Sequence, residues 1–253
     1  MNAPLRWPFM PAPIKSNEIY YPETDGKPMA ESDLHRDIMT YIIQLLQRFF
    51  MGRQVYVSGN LLVYFEQGNP RKSVAPDCFV VHGIDPHLRK TYKIWEESKT
   101  PEVVFEVTSK STQNEDLGKK MRLYAQLGVQ EYYLYDPAAE YLQPSLRAFM
   151  LRGGGYVPMS PVDGELALGD VAIVADPAEP PEFISHLLGL RITLDEMNQI
   201  QFYDVASNQR LLSAEEARQA AEIVAEDAKL RAEQAEVENA RLRAELAKLR
   251  GKQ

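Results

Sequence analysis

Residues 101–112 read Pro101-Glu102-Val103-Val104-Phe105-Glu106-Val107-Thr108-Ser109-Lys110-Ser111-Thr112, and this stretch decides the architecture. The run 102–108 is short and dominated by valine and phenylalanine, which predicts a strand buried in the centre of a sheet. Glu106 interrupts it between Phe105 and Val107. A carboxylate in such a strand is costly to bury unless a cation is present to pair with it. With a period of two, Glu106 faces the same way as Glu102, Val104 and Thr108.

Immediately downstream, Thr112 and Glu115 have capping-box spacing and open a helix to about residue 127, with Gly128 as its C′ residue. Its inward stripe is Leu117, Met121, Tyr124 and Gly128. At helical spacing Lys120 falls inside that stripe, whereas Lys119 and Arg122 point away. Lys120 is therefore the first candidate partner for Glu106, and Lys110, two residues beyond the strand, is the second. The plainer alternatives are a surface pair of Lys120 with Asp116, contributing about 0.3–0.5 kcal/mol, and a solvated loop lysine at position 110.

Upstream, residues 74–82 form a strand carrying Pro76-Asp77. Proline within a sheet is confined to strand starts and edges, so Asp77 lies near a strand end or an irregularity. Alone it would read as a turn carboxylate. Cys78 faces the opposite way and reads as packed and inert. Ser32 caps a first helix over 33–50, whose apolar stripe is Ile38, Ile42, Leu45, Leu46 and Phe49. Glu31 and His35 project to the same face at its beginning, where His35 reads equally as a site residue or a satisfied core histidine.

The rest completes an α/β order of elements. Residues 54–66 read as a strand pair or one bulged strand, punctuated by Ser58-Gly59-Asn60. A strand over 131–135 is closed by Asp136-Pro137, and Gly153-Gly154-Gly155 turns a hairpin between 145–152 and 156–159. Tyr132, Tyr133 and Tyr135 could stack on bases, but core filling is the commoner use of such residues. An Ala- and Pro-rich connector (171–181), a short helix (183–188) and a small hairpin (201–212) follow. Ser213 then caps a helix to about residue 250.

Composition narrows the classes. The 253 residues carry a net charge of −8, which argues against a plain nucleic-acid-binding module, since such affinity comes largely from Lys and Arg on phosphates. It counts less against an enzyme whose metal ion neutralises phosphate locally. The single cysteine permits no internal disulfide and fits a reducing, cytoplasmic setting. No apolar run is long enough for a membrane span, and the proline-broken N-terminus does not read as a signal peptide. His82, His87 and His186 share no metal-ligand spacing.

Ala75-Pro76-Asp77, the 101–112 stretch, Asp116-Leu117-Gly118-Lys119-Lys120, Gly128-Val129-Gln130-Glu131-Tyr132 and Asp136-Pro137 together resemble a large bacterial family of restriction endonucleases. That family belongs to the PD-(D/E)XK, or restriction-endonuclease-like, superfamily. The resemblance covers roughly residues 16–159, and the ordered set is more specific than any one motif. It implies a four-stranded mixed sheet flanked by helices and a Mg²⁺ (or Mn²⁺) ion held by Asp77 and Glu106. It further implies DNA as substrate and a lysine that orients the attacking water. The lysine of the basic pattern, two residues after the glutamate, is here Thr108, which favours Lys120, with Lys110 open. Glu31 or His35 would lend support. The rival expectation is a catalytically silent nuclease fold that acts as an interaction protein.

These readings divide the chain into an extended arm (1–30), a nuclease domain (31–200), a small hairpin (201–212) and a coiled coil (213–253). In the last, a heptad seam runs with d at Ala221, Ala228, Ala235, Leu242 and Leu249 and a at Ala225, Ala232, Asn239 and Leu246, which predicts a homodimer. A single charged helix is the plainer alternative.

Overall fold

The structure, a computed structural model, describes residues 19–24, 32–109, 112–159 and 180–250. The chain divides into two compact units, Met1–Leu211 and Leu212–Gln253.

In the first unit Ser32 caps α1 (Asp33–Phe49) by accepting from the His35 amide. The strands β1 (Val55–Ser58), β2 (Val63–Tyr64), β3 (Ser73–Val74), β4 (Cys78–His82) and β5 (Tyr92–Lys93) follow, and then a short helix α2 (Ile94–Glu97). Next comes β6 (Val103–Val107), the strand expected at the sheet's centre, with all five residues buried. A crossover of α3 (Gln113–Glu115), a π-helical turn (Asp116–Lys120) and α4 (Met121–Leu127) leads to β7 (Glu131–Tyr135). Gly128 ends α4 at φ +82°, a left-handed conformation that glycine adopts without a β-carbon penalty. The unit closes with β8 (Leu146–Arg152), β9 (Gly155–Pro158), β10 (Phe183–Ser185), β11 (Leu190–Leu194) and β12 (Ile200–Asp204).

The main sheet is mixed, ordered β1-β4-β6-β7-β8-β9, with β6 and β7 its parallel pair. It has six strands where the family resemblance implied four. One face packs Phe105, Val80 and Tyr133 against Ile42, Leu45 and Leu46 of α1 and against Ile192 and Phe202 of the antiparallel sheet β10-β11-β12. The other packs Phe79, Val104, Tyr132 and Leu134 against Tyr124 of α4 and Val63, Val74 and Tyr92 of the sheet β3-β2-β5. Tyr132, Tyr133 and Tyr135 are at most 1% exposed, so they fill the core and cannot stack on bases.

Several expectations are corrected. β1 and β2 form neither a pair nor one bulged strand but belong to different sheets, β1 beside β4 and β2 between β3 and β5. Residues 183–185 are strand, since Phe183 and Ser185 pair with β11 and six residues are too few to stabilise a helix alone. The expected hairpin over 201–212 is present but short, a bridge between Tyr203 and Arg210 flanked by the Leu211 amide on the Phe202 carbonyl and the Asp204 amide on the Gln209 carbonyl, while the other side of β12 pairs with β11. Thr112 forms no cap, because its hydroxyl takes the Ser109 amide. Leu117, expected inside, is 38% exposed. Residues 171–179 of the connector lie outside the described residues.

In the second unit Ser213 and Glu216 cap α5 (Ala214–Arg250) reciprocally, amide to side chain in both directions. At 37 residues α5 is about 55 Å long, and Ile223, Val224, Leu230 and Val237 along it are exposed.

Close backbone packing fixes where Asp77 sits. A β-carbon on Gly59 would lie 1.9 Å from the Asp77 carbonyl oxygen, and the neighbouring Asn60 amide donates to the Pro76 carbonyl. Gly118, in the π turn, has open space at its β-carbon position. Gly59→Ala is expected to cost about 1–3 kcal/mol or more through overpacking. Gly118→Ala should be neutral or stabilise by up to about 1 kcal/mol, because it restricts the unfolded chain without a clash. Urea denaturation of the two variants measures both.

Candidate active site

The site forms where β4 begins, β6 ends and the crossover helix returns. β4 and β6 are antiparallel neighbours with Cys78 opposite Phe105. One step further along that register sets Asp77 opposite Glu106. Both carboxylates belong to the face that carries Phe79 and Val104, while Cys78 is buried on the other, where desolvation raises its thiol pKa.

Glu106 is fully buried. Its Oε2 accepts from Lys120 Nζ at 2.9 Å and its Oε1 from the Tyr124 hydroxyl at 2.6 Å. Lys120 Nζ also lies 3.0 Å from Asp116 Oδ1. Asp116 is itself buried, with Oδ2 3.4 Å from the Thr108 hydroxyl and its carbonyl accepting from Tyr132 at 3.1 Å. Asp77 Oδ2 accepts from the Val107 amide at 2.7 Å, and His35 Nε2 approaches Oδ1 at 3.3 Å.

Of the residues expected from the sequence, Asp77, Glu106, Lys120 and His35 therefore come together. Lys110 and Glu31 lie outside the described residues. Sequence reasoning missed Asp116 and Tyr124 as members. The signal was present, because Asp116, Lys120 and Tyr124 recur every fourth residue on one helical face. The π turn strengthens this arrangement: its wider i→i+5 hydrogen bonding turns Asp116 inward and leaves Leu117 out.

The two strand carboxylates have opposite electrostatics. Burial pushes the Asp77 pKa up, but the His35 hydrogen bond and charge, Lys120 and the Val107 amide outweigh it, so it ends below the usual value. For Glu106 burial dominates. Lys120 and Tyr124 favour its ionised form, Asp77 and Asp116 oppose it, and the pKa is raised well above normal. Asp116 is raised as well, by burial against the pull of Lys120. Burial alone would lower the Lys120 pKa, but Glu106, Asp116 and Asp77 outweigh it and hold it above the usual lysine value.

This donor set fits a hard divalent cation. Three buried carboxyl groups face one ammonium and one imidazole, and the raised pKa values of Glu106 and Asp116 mark negative charge that these two cations leave under-compensated. Among the described residues no group of three or more His, Cys, Asp and Glu is arranged to hold a metal ion. A cation here would draw on Asp77 and Glu106 and complete its shell from water, backbone or phosphate, as Mg²⁺ commonly does.

The opposed shifts predict opposite responses in metal-free protein. The depressed Asp77 pKa contributes stability that is present above the unfolded pKa, about 3.9, and lost as pH falls through the folded value. Asp77→Asn should thus destabilise at neutral pH. Glu106 holds a proton that the unfolded chain releases, so it costs stability as pH rises from about 4.3 through its folded pKa. Glu106→Gln should leave the neutral-pH melting temperature equal or higher and flatten its pH dependence. Thermal denaturation in EDTA from pH 5 to 8 checks both signs.

Among curated proteins, none matches this chain. A solved structure titled as a "putative nuclease" from Anabaena variabilis is similar, with 16% identity over 55% of this chain and 76% of that one, at a TM-score of 0.39. The Uma2 family model, described as "Putative restriction endonuclease", matches residues 10–175. That span is well over half of the 253 residues and takes in Asp77, Glu106 and Lys120, so the chain belongs to the Uma2 family of restriction-endonuclease-like proteins.

Proposed function

We propose that this protein is an endonuclease that hydrolyses DNA phosphodiester bonds with Mg²⁺ or Mn²⁺ as its ion. The observation that carries this reading is the fully buried Glu106, ion-paired to Lys120 and set across the strand register from Asp77. Asp77 and Glu106 would hold the ion, whose chemistry is to acidify a bound water and offset charge on the scissile phosphate. Lys120 would orient that water and stabilise the developing negative charge. His35 keeps Asp77 ionised and aimed, and Lys110 and Glu31 stand as further candidates for the lysine and supporting roles. The family membership supports a nuclease at the coarser level.

A second reading, a silent nuclease fold acting as an interaction protein, draws on one observation: every oxygen of Asp77 and Glu106 already has a protein partner. Metal binding separates the two. Cleavage of supercoiled, linear and single-stranded DNA is expected with Mg²⁺ or Mn²⁺ and not with EDTA. Asp77→Ala should abolish both cleavage and the Mn²⁺-dependent rise in melting temperature. Lys120→Met should lower the rate by about 10²–10³-fold. Neither cleavage nor a metal-dependent shift in the native sequence would leave only the second reading.

We further propose a cytoplasmic homodimer assembled through α5. The location rests on the lone, buried Cys78, and no described helix is long and apolar enough to cross a membrane. The seam from Ala221 to Leu249, with Asn239 at an a position, supports pairing in register. Ile223, Leu230 and Val237 recur seven residues apart on the opposite side of the helix, so a pairing through the seam alone leaves them in water. Sedimentation of the full chain and of one ending at Leu212 should give a dimer and a monomer. A monomer in both cases would end the self-association proposal, and a larger assembly would bring the second stripe into the contact.

A further inference from the structure

Lys120 has two anionic partners from different elements. Glu106 reaches it from β6 at 2.9 Å, and Asp116 reaches it at 3.0 Å from the start of the π turn that Lys120 itself closes. An Asp–Lys pair at this spacing ordinarily lies on a helix surface, where solvent weakens it. Here the side chains are 1% and 17% exposed. Asp116 is also fixed independently of the lysine, by the Thr108 hydroxyl on its other oxygen and by Tyr132 on its carbonyl.

We infer that Asp116 is a positioning residue for Lys120, holding the ammonium at the site independently of Glu106. What Lys120 does there rests on the nuclease reading. If Glu106 serves as a cation ligand, its Oε2 is shared, and a lysine anchored on that oxygen alone could swing away on its flexible four-carbon stem. Asp116 supplies the second tether from the lysine's own turn. The π turn matters because it faces Asp116 and Lys120 jointly toward β6 while α4 continues to Tyr124, the other donor to Glu106. Thr108 extends the tether to the sheet, so strand and helix hold the ammonium together.

The test uses the full chain carrying Asp116→Asn, Asp116→Glu or Thr108→Val. In metal-free protein, the Lys120 ammonium should give a slowly exchanging ¹⁵N–¹H signal that Asp116→Asn loses to solvent exchange and Asp116→Glu largely keeps. The Mn²⁺-dependent thermal shift, measured without DNA, should persist in all three. In cleavage, Asp116→Asn should lower kcat by about 10²-fold with KM unchanged, the size expected when a reacting group is misplaced by an ångström. Asp116→Glu should recover part of that loss. Thr108→Val should show a weaker version of both effects, and it decides the matter if Asp116→Asn does not fold. An unchanged Lys120 signal and kcat in Asp116→Asn would overturn the inference. So would loss of the Mn²⁺ shift in Asp116→Asn, which would make Asp116 an ion ligand instead. Should the native chain neither cleave DNA nor bind Mn²⁺, the nuclease reading fails, while the ammonium signal still decides whether Asp116 holds Lys120.

Discussion

Glu106 has been withdrawn from water entirely, and the cost of burying a carboxylate is several kcal/mol unless neighbouring groups compensate. Lys120 and Tyr124 provide that compensation, and both come from the crossover between β6 and β7. The crossover must therefore lie on the Glu106 side of the sheet with its charged and phenolic residues inward. Removing either partner would leave the other carboxylate interactions in place but the burial poorly compensated. The packing around β6, including the stacked rings of Phe105 and Tyr133 on the opposite face at 4.6 Å, fixes the register that keeps Glu106 buried.

Much of this arrangement was legible because it depends on local pattern. The valine-rich run 102–108 announces a central strand, and a carboxylate inside it requires a partner. The period of the following helix selects Lys120 over Lys119 and Arg122. Ser32 and His35 were readable from cap spacing and the apolar face of α1. Less legible features depend on long-range pairing or on irregular backbone. A π turn has no compositional signature, so periodicity places Leu117 inward and offers Asp116 only as a surface partner of Lys120. Between β1 and β2, Gly59 packs on the Asp77 backbone, a contact across 18 residues that no period reveals. Residues 183–185 are too few to declare a period, and only their pairing with β11 makes them strand.

A second buried polar tie joins the main sheet to the antiparallel one. Glu131 accepts from both Tyr133 and Ser185, and Ser185 in turn accepts the Leu188 amide. Burial raises the Glu131 pKa against those donors. Unlike the Asp77 and Glu106 group, this cluster holds a single carboxyl group and no lysine. Its two hydroxyls, one from each sheet, both donate to Oε2, which suits a fixed joint between sheets. The contrast shows how differently a buried carboxylate can be handled within one unit of this protein.

His35, Asp77, Glu106 and Lys120 span 85 positions of chain, and they meet only through an antiparallel pairing, a parallel pairing and a helix returned across the sheet. Contacts of such long separation form late, because loop closure must precede them. A chain still emerging during synthesis, or a fragment ending before β7, lacks the strand beside which Glu106 is seated. Assembly of the carboxylates and the lysine is thus tied to completion of the fold. A product that ends before β7 therefore carries the four residues without the sheet that brings them together.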